Sequence, residues 1–184
     1  MITSLSKEFL ITAIKRLLYY KDLGEKTLDQ LSDTELHSSD GPDSNSIAVI
    51  IQHISGNMLS RWTNFLSEDG EKSWRDRDEE FNPHPHSKQQ IIEIWQKGWD
   101  CFLTTLRSLA EEDLLKIIHI RKEPLTVVDA INRQLAHYPY HIGQIVYIGR
   151  MIKKEKWINL SIPRGQSQQY NQSADVKDPS KKFT

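Results

Sequence analysis

Cysteine is nearly absent from this chain: a single residue, Cys101, in 184. A lone thiol cannot close an internal disulfide, and its place between Trp99 and Leu103 in a helix-periodic run is that of a small packed side chain. Net charge is also scarce, with 24 Lys and Arg against 25 Asp and Glu. That balance gives no bulk electrostatic case for nucleic acid or an anionic membrane as partner, so partners must be argued from sites. No uncharged apolar run approaches the roughly 20 residues needed to cross a bilayer. The opening MITSLSKEFLITAIKRLL carries an acidic residue and no small-residue cleavage site, so a cytoplasmic location is expected. Alternating apolar runs, internal repeats and low-complexity blocks are missing. So is HExxH, which would set a glutamate base beside a histidine pair, and a protease-like reading therefore has no general base.

What is present is helical periodicity. With 38% hydrophobic and 27% charged residues, the chain can bury one substantial core, and one domain is expected. Four segments carry a 3.6-residue apolar period. The first runs from about Ser4 towards Leu31, with Leu10, Ile14, Leu17 and Leu18 on one side. The second follows the cap-rich DSNS of residues 43–46 and continues through Ile47, Ile50, Ile54, Met58, Trp62 and Phe65. The third opens on Ser87 and Gln90 in capping-box spacing and carries Ile91, Trp95, Trp99, Phe102, Leu106 and Leu109. The fourth opens on Thr126 and Asp129 and presents Ile131, Leu135, Ile142, Val146 and Ile152. Long helices with short connections predict an all-α, up-down four-helix bundle over residues 1–160. Residues 161–184 form an extension, poor in apolar residues, whose end is expected to be disordered. Residues 117–120 read as a short extended piece, because Pro124 keeps the residue before it out of a helix. The charged stretch DGEKSWRDRDEEFNPHPHS reads as a salt-bridged loop held down by Trp74 and Phe81.

Within this frame stand His137 and His141, one helical turn apart in AHYPYHIGQ, and His53 in IIQHISGN. Imidazoles at i and i+4 share a helix face and can grip one metal ion, and a third from a neighbouring helix completes a tripod with coordination positions left open. All three flank their apolar stripes rather than sit within them. A bare HxxxH arises often by chance, and the bland alternative is three unrelated histidines. Pro139, inside a helix that otherwise runs on, frees the carbonyl of Leu135 at a cost in stability, which fits a site better than a plain helix. Gly143 and Gln144 offer a place for close approach and an amide to orient a ligand. Asn57 and Arg61 lie one and two turns beyond His53. Arg75 or Arg77 would recognise a substrate carboxylate if the charged loop folds over the metal. His84 and His86 read as solvated loop residues, His119 as partly buried with a local hydrogen bond, and the turn at 161–166 as a segment that would lie near the pocket.

HIxGNxxxRW from His53 to Trp62, with HxxxHxGQI from His137 to Ile145, resembles the DinB/YfiT-like superfamily over roughly residues 4–160. DGEKSWRDRDEEF and NRQLAHYPYHIGQIVY resemble one subfamily of it, known mainly as a domain of unknown function. The resemblance implies a four-helix protein, often a homodimer, in which His53, His137 and His141 hold a divalent metal, commonly nickel or zinc. It also implies chemistry like that of thiol-dependent relatives, which transfer a small-molecule thiol such as bacillithiol to an electrophile or use mycothiol in isomerisation. A metal-bound thiol loses its proton without a protein base, which favours transfer over hydrolysis. Metal-assisted hydrolysis and a non-catalytic, stress-associated metal- or ligand-binding dimer remain the alternatives. Three imidazoles plus water suit zinc, nickel, copper or iron alike.

Overall fold

Ser4, Ser46, Ser87 and Thr126 each turn a hydroxyl onto the backbone N–H three residues ahead, and the four long helices begin there. The structure is a computed structural model that describes residues 4–41, 43–175 and 177–183. Residues 1–3 of the N-terminal stretch and residues 176 and 184 of the tail lie outside the described residues. The helices are α1 (Leu5–Asp29), α2 (Asp33–Leu36), α3 (Ile47–Trp62), α4 (Lys88–Ser108), α5 (Val127–Lys153) and α6 (Ser167–Gln172). Between α4 and α5 lies a two-stranded antiparallel hairpin of β1 (Ile117–Ile120) and β2 (Glu123–Thr126), paired Ile117 to Thr126 and Ile120 to Glu123. The chain is thus mostly helical, with a small sheet added to the helices of the all-α expectation. No described helix is long and apolar enough to cross a membrane.

α3 packs chiefly on α4, and α1 on α5. Between them sits an aromatic core of Trp62, Trp95, Trp99, Phe102 and Tyr138, all fully buried. Tyr138 is tied into it by donating to Asn57 Oδ1 (3.1 Å) and accepting from Trp62 Nε1 (3.2 Å). α5 runs through Pro139 without interruption. Cys101 is half-buried, its Sγ 3.6 Å from Thr63 Oγ1.

The hairpin turns through Arg121 and Lys122, whose φ values of 56° and 66° suit the tight turn that matches strand twist. Asp69 stabilises these left-handed residues by accepting from both backbone N–H groups, at 2.9 and 2.7 Å. Alternation along β1 buries Ile118 and Ile120 and leaves His119 exposed, which corrects the partly buried reading. What His119 contributes is its backbone carbonyl, which accepts from Gly70 N at 2.8 Å.

The charged loop between α3 and α4 is indeed laced by ion pairs, Arg61–Glu71, Lys72–Glu68 and Arg75–Glu80 among them. Trp74 is not one of its anchors, being 60% exposed. Phe81 is, stacked on His53 with ring centroids 4.6 Å apart. In the tail, the helical turn Pro179–Phe183 packs on α1, and Arg16 grips Asp178 through two hydrogen bonds of 2.8 and 2.9 Å.

Candidate metal centre

Three turns of α3 and α5 bring the histidines together. His53 is buried, and His137 and His141 are half-buried. One ring nitrogen from each lies within 4.8 Å of the other two, and no other such group of His, Cys, Asp or Glu occurs among the described residues. His84 and His86 stay apart from it: His84 pairs with Glu79, and the His86 carbonyl takes a hydrogen bond from His37.

The outer nitrogen of each ring is held. Glu80 Oε2 lies 3.1 Å from His53 Nδ1, Gln134 Oε1 3.3 Å from His137 Nδ1, and Gln144 Oε1 2.8 Å from His141 Nδ1. Gln144 Nε2 donates to the Tyr140 hydroxyl, so the amide turns its oxygen to the histidine. An oxygen acceptor at Nδ1 puts the proton there and leaves Nε2 with its lone pair. This is how metal-ligating histidines are commonly oriented.

The lone pairs then meet. His137 Nε2 and His141 Nε2 are 3.1 Å apart, a distance at which two unprotonated nitrogens repel unless a proton or a cation lies between them. A proton is disfavoured. Burial, reinforced by His141, His53, Arg133 and Arg75, lowers the His137 pKa to about 4. Burial also lowers that of His141, with His53 adding to it, against the hydrogen bond His141 donates to Gln144. Neutral, converging imidazoles with fixed outer nitrogens are what a divalent ion requires. With three protein ligands and no fourth in the group, such an ion would keep open positions.

Glu80 is the residue that sequence reasoning missed. Burial works to raise its carboxyl, but hydrogen bonds from His53 and Arg75 and the charge on Arg75 outweigh this and hold it below the usual carboxylate range. Arg75 grips it through Nε (2.7 Å) and Nη2 (2.9 Å). The approach depends on Gly56, where a Cβ would stand 2.1 Å from Glu80 Oε1. A glycine in the middle of α3, one turn past His53, was the available signal. Gly143, two residues past His141, is exposed with nothing within 4 Å of a would-be Cβ, so no close approach occurs there.

A cavity of about 250 Å³ opens beside His53 and His137. Asn57 and Arg61 line it, as does Arg75, although Arg75 is already committed to Glu80. The turn at 161–166, closed by Gln166 N on Pro163 O at 3.1 Å, contributes nothing to its lining.

The family model described as a protein of unknown function (DUF1572) matches residues 4–166. No curated protein matches the chain. Among solved structures, it is similar to the crystal structure of a DinB-like protein from Bacillus cereus ATCC 10987, with a TM-score of 0.59 and 20% identity. That likeness covers 76% of this chain and 90% of the other, and at this identity it speaks for the fold.

Proposed function

The chain belongs to the DUF1572 family of proteins of unknown function and has a DinB-like fold, and from that premise we propose that His53, His137 and His141 hold one divalent metal ion at a centre for chemistry on a small molecule. The observation that carries this is the convergence of three ring nitrogens whose partners across each ring are fixed by Glu80, Gln134 and Gln144. Nickel or zinc is the proposed ion, on the resemblance described above. We read α1, α3, α4 and α5 as an up-down four-helix bundle, with residues 161–184 as an extension of it; the pairing of α3 with α4 and of α1 with α5 supports that reading.

The reaction we favour is thiol-dependent transfer to a small electrophile. A divalent ion at this centre would supply Lewis acidity, lowering the pKa of a coordinated thiol or water. The residues support the thiol for one reason: among the described residues no Asp or Glu lines the adjoining cavity, and a thiol activated at the centre needs no further base. Glu80 is no substitute, since both its oxygens are engaged by His53 and Arg75. Hydrolysis is the second reading and differs in requiring no added thiol. A non-catalytic binding protein would need a closed coordination sphere, against which stands the three-residue ligand group.

A homodimer is proposed as well. Tyr140, Tyr147 and Met151 are each more than half exposed at helical spacing on α5, an apolar stripe suited to a second copy.

Elemental analysis of untagged protein purified without chelator tests the centre. About one divalent ion per chain is expected, and a His137→Ala protein that retains full stoichiometry would overturn it. Turnover of an electrophile panel with and without bacillithiol, mycothiol or glutathione tests the reaction, and rates indifferent to thiol would favour hydrolysis.

A further inference from the structure

We infer that the cavity beside His53 and His137 is a receptor for an oxyanion, a carboxylate or phosphate group on the small molecule that the histidine centre acts on. The inference rests on the metal-centre reading for what the bound anion is presented to, but the anion site itself is built from other residues.

Five arginines line this one cavity: Arg61 from α3, Arg75 and Arg77 from the loop, Arg121 from the hairpin turn and Arg133 from α5. No carboxylate among the described residues lines it. Three stand nearby: Glu71 accepting from Arg61 and Arg121, Glu80 accepting from Arg75, and Asp69, which takes the Arg121 backbone N–H and feels the charge of Arg61. Five guanidinium charges less three carboxylates leave an excess of two. Asp78 lies 3.9 Å from Arg77 with a side chain 98% exposed, so it is screened by water and does little to offset this. Arg133 has no hydrogen bond or ion pair among the described residues. In a chain whose overall charge is −1, that local excess is not a share of a generally basic surface. Like charges gathered around one concavity raise one another's energy, and a bound anion relieves them.

Arg75 gives the second, independent indication. Its side chain is only 2% exposed, and its Nε and Nη2 edge is spent on Glu80. Nη1 is buried with no hydrogen-bond partner among the described residues. Buried charged donors are rarely left so, and a guanidinium has a second two-donor edge, Nη1 with Nη2, that matches a carboxylate or phosphate. An oxyanion in the cavity would take that edge while Arg133 and Arg121 close on it from the rim. A cavity of about 250 Å³ admits a small organic anion rather than a polymer. Its anionic end would sit on the arginines and its reactive end beside His137.

The test is calorimetric titration of the metal-free protein and of the metal-loaded protein with succinate, glycerol 3-phosphate and inorganic phosphate. The expected result is binding to the metal-free protein that weakens with added salt. Arg75→Gln should weaken it about tenfold or more. Arg133→Gln, an exposed position whose change does not threaten the fold, should weaken it about threefold. The ranking of succinate against the two phosphates assigns the anion. Binding unaltered by both arginine variants, or seen only when metal is loaded, would overturn the inference, because the anion would then be a ligand of the metal alone. Failure of all three anions to bind a protein that takes up metal normally would overturn it too, and would leave the metal centre standing. Loss of metal uptake with arginine-dependent anion binding intact would do the opposite.

Discussion

Glu80 Oε2 stands 3.1 Å from His53 Nδ1 across 27 residues of chain, and the same carboxylate is clamped by Arg75. The contact joins the charged loop to the histidine cluster and sets which nitrogen of His53 faces its neighbours.

Replacing that carboxylate should therefore loosen the metal without removing a ligand. Glu80→Gln keeps an acceptor oxygen but loses the charge that holds Arg75. Metal affinity, measured by competition with a chromophoric chelator, should fall about 10- to 100-fold, and Glu80→Ala should fall further. Unchanged affinity in both would show that Glu80 only secures the loop.

Gly56→Ala offers the same test from the opposite side. The new Cβ stands where Glu80 Oε1 is, so the carboxylate must move off His53. Helix propensity returns about 0.5–1 kcal/mol, and the strained Arg75–Glu80 pair takes back more. A net loss of about 1–2 kcal/mol in urea denaturation is expected, together with weakened metal binding. A variant more stable than the parent would contradict the close approach.

The metal-free protein should lose stability as pH falls. His137 has a folded pKa of about 4, below the ordinary 6.5, and His141 is shifted the same way. Between those pH values the unfolded chain binds more protons than the folded one, so stability rises with pH from about 4 to 6.5 and levels above it. Denaturation midpoints across this range check the slope. His137→Ala should flatten it, and metal affinity should decline over the same interval because protons compete for the ligands.

Tyr138→Phe should destabilise the protein by about 1–3 kcal/mol, leaving Asn57 Oδ1 and Trp62 Nε1 unpaired in the core. Metal stoichiometry should be unchanged, since the Tyr138 hydroxyl bonds to none of the three histidines. Thermal melts and elemental analysis separate the two effects.

Several elements were legible in the chain because their causes are local. Ser46, Ser87 and Thr126 cap helices through bonds to residues three positions away, and apolar spacing marks which side of each helix packs. The extended piece at 117–120 emerges at those residues as β1, with Pro124 in the partner strand. Gln144 was readable beside His141, one turn along the same helix. The placements of Trp74 and His119 were not, because each depends on how a loop or hairpin settles against a distant helix, and the exposure of Gly143 follows from which side of α5 the other helices cover. Apolar content suggested that Trp74 would anchor the loop, yet Phe81 is stacked on His53 and Trp74 faces outward.

Local periodicity, then, was sufficient to set out the helices and to put His137 and His141 on one face, since an i, i+4 relation needs no tertiary information. Packing of α3 against α5 had to add His53, and the course of the loop across Gly56 had to add Glu80 and Arg75. The same long-range assembly drew five arginines from four parts of the chain into one cavity. Charge balance along the sequence conceals that gathering, because Coulomb energy depends on distance in space and not on separation along the chain.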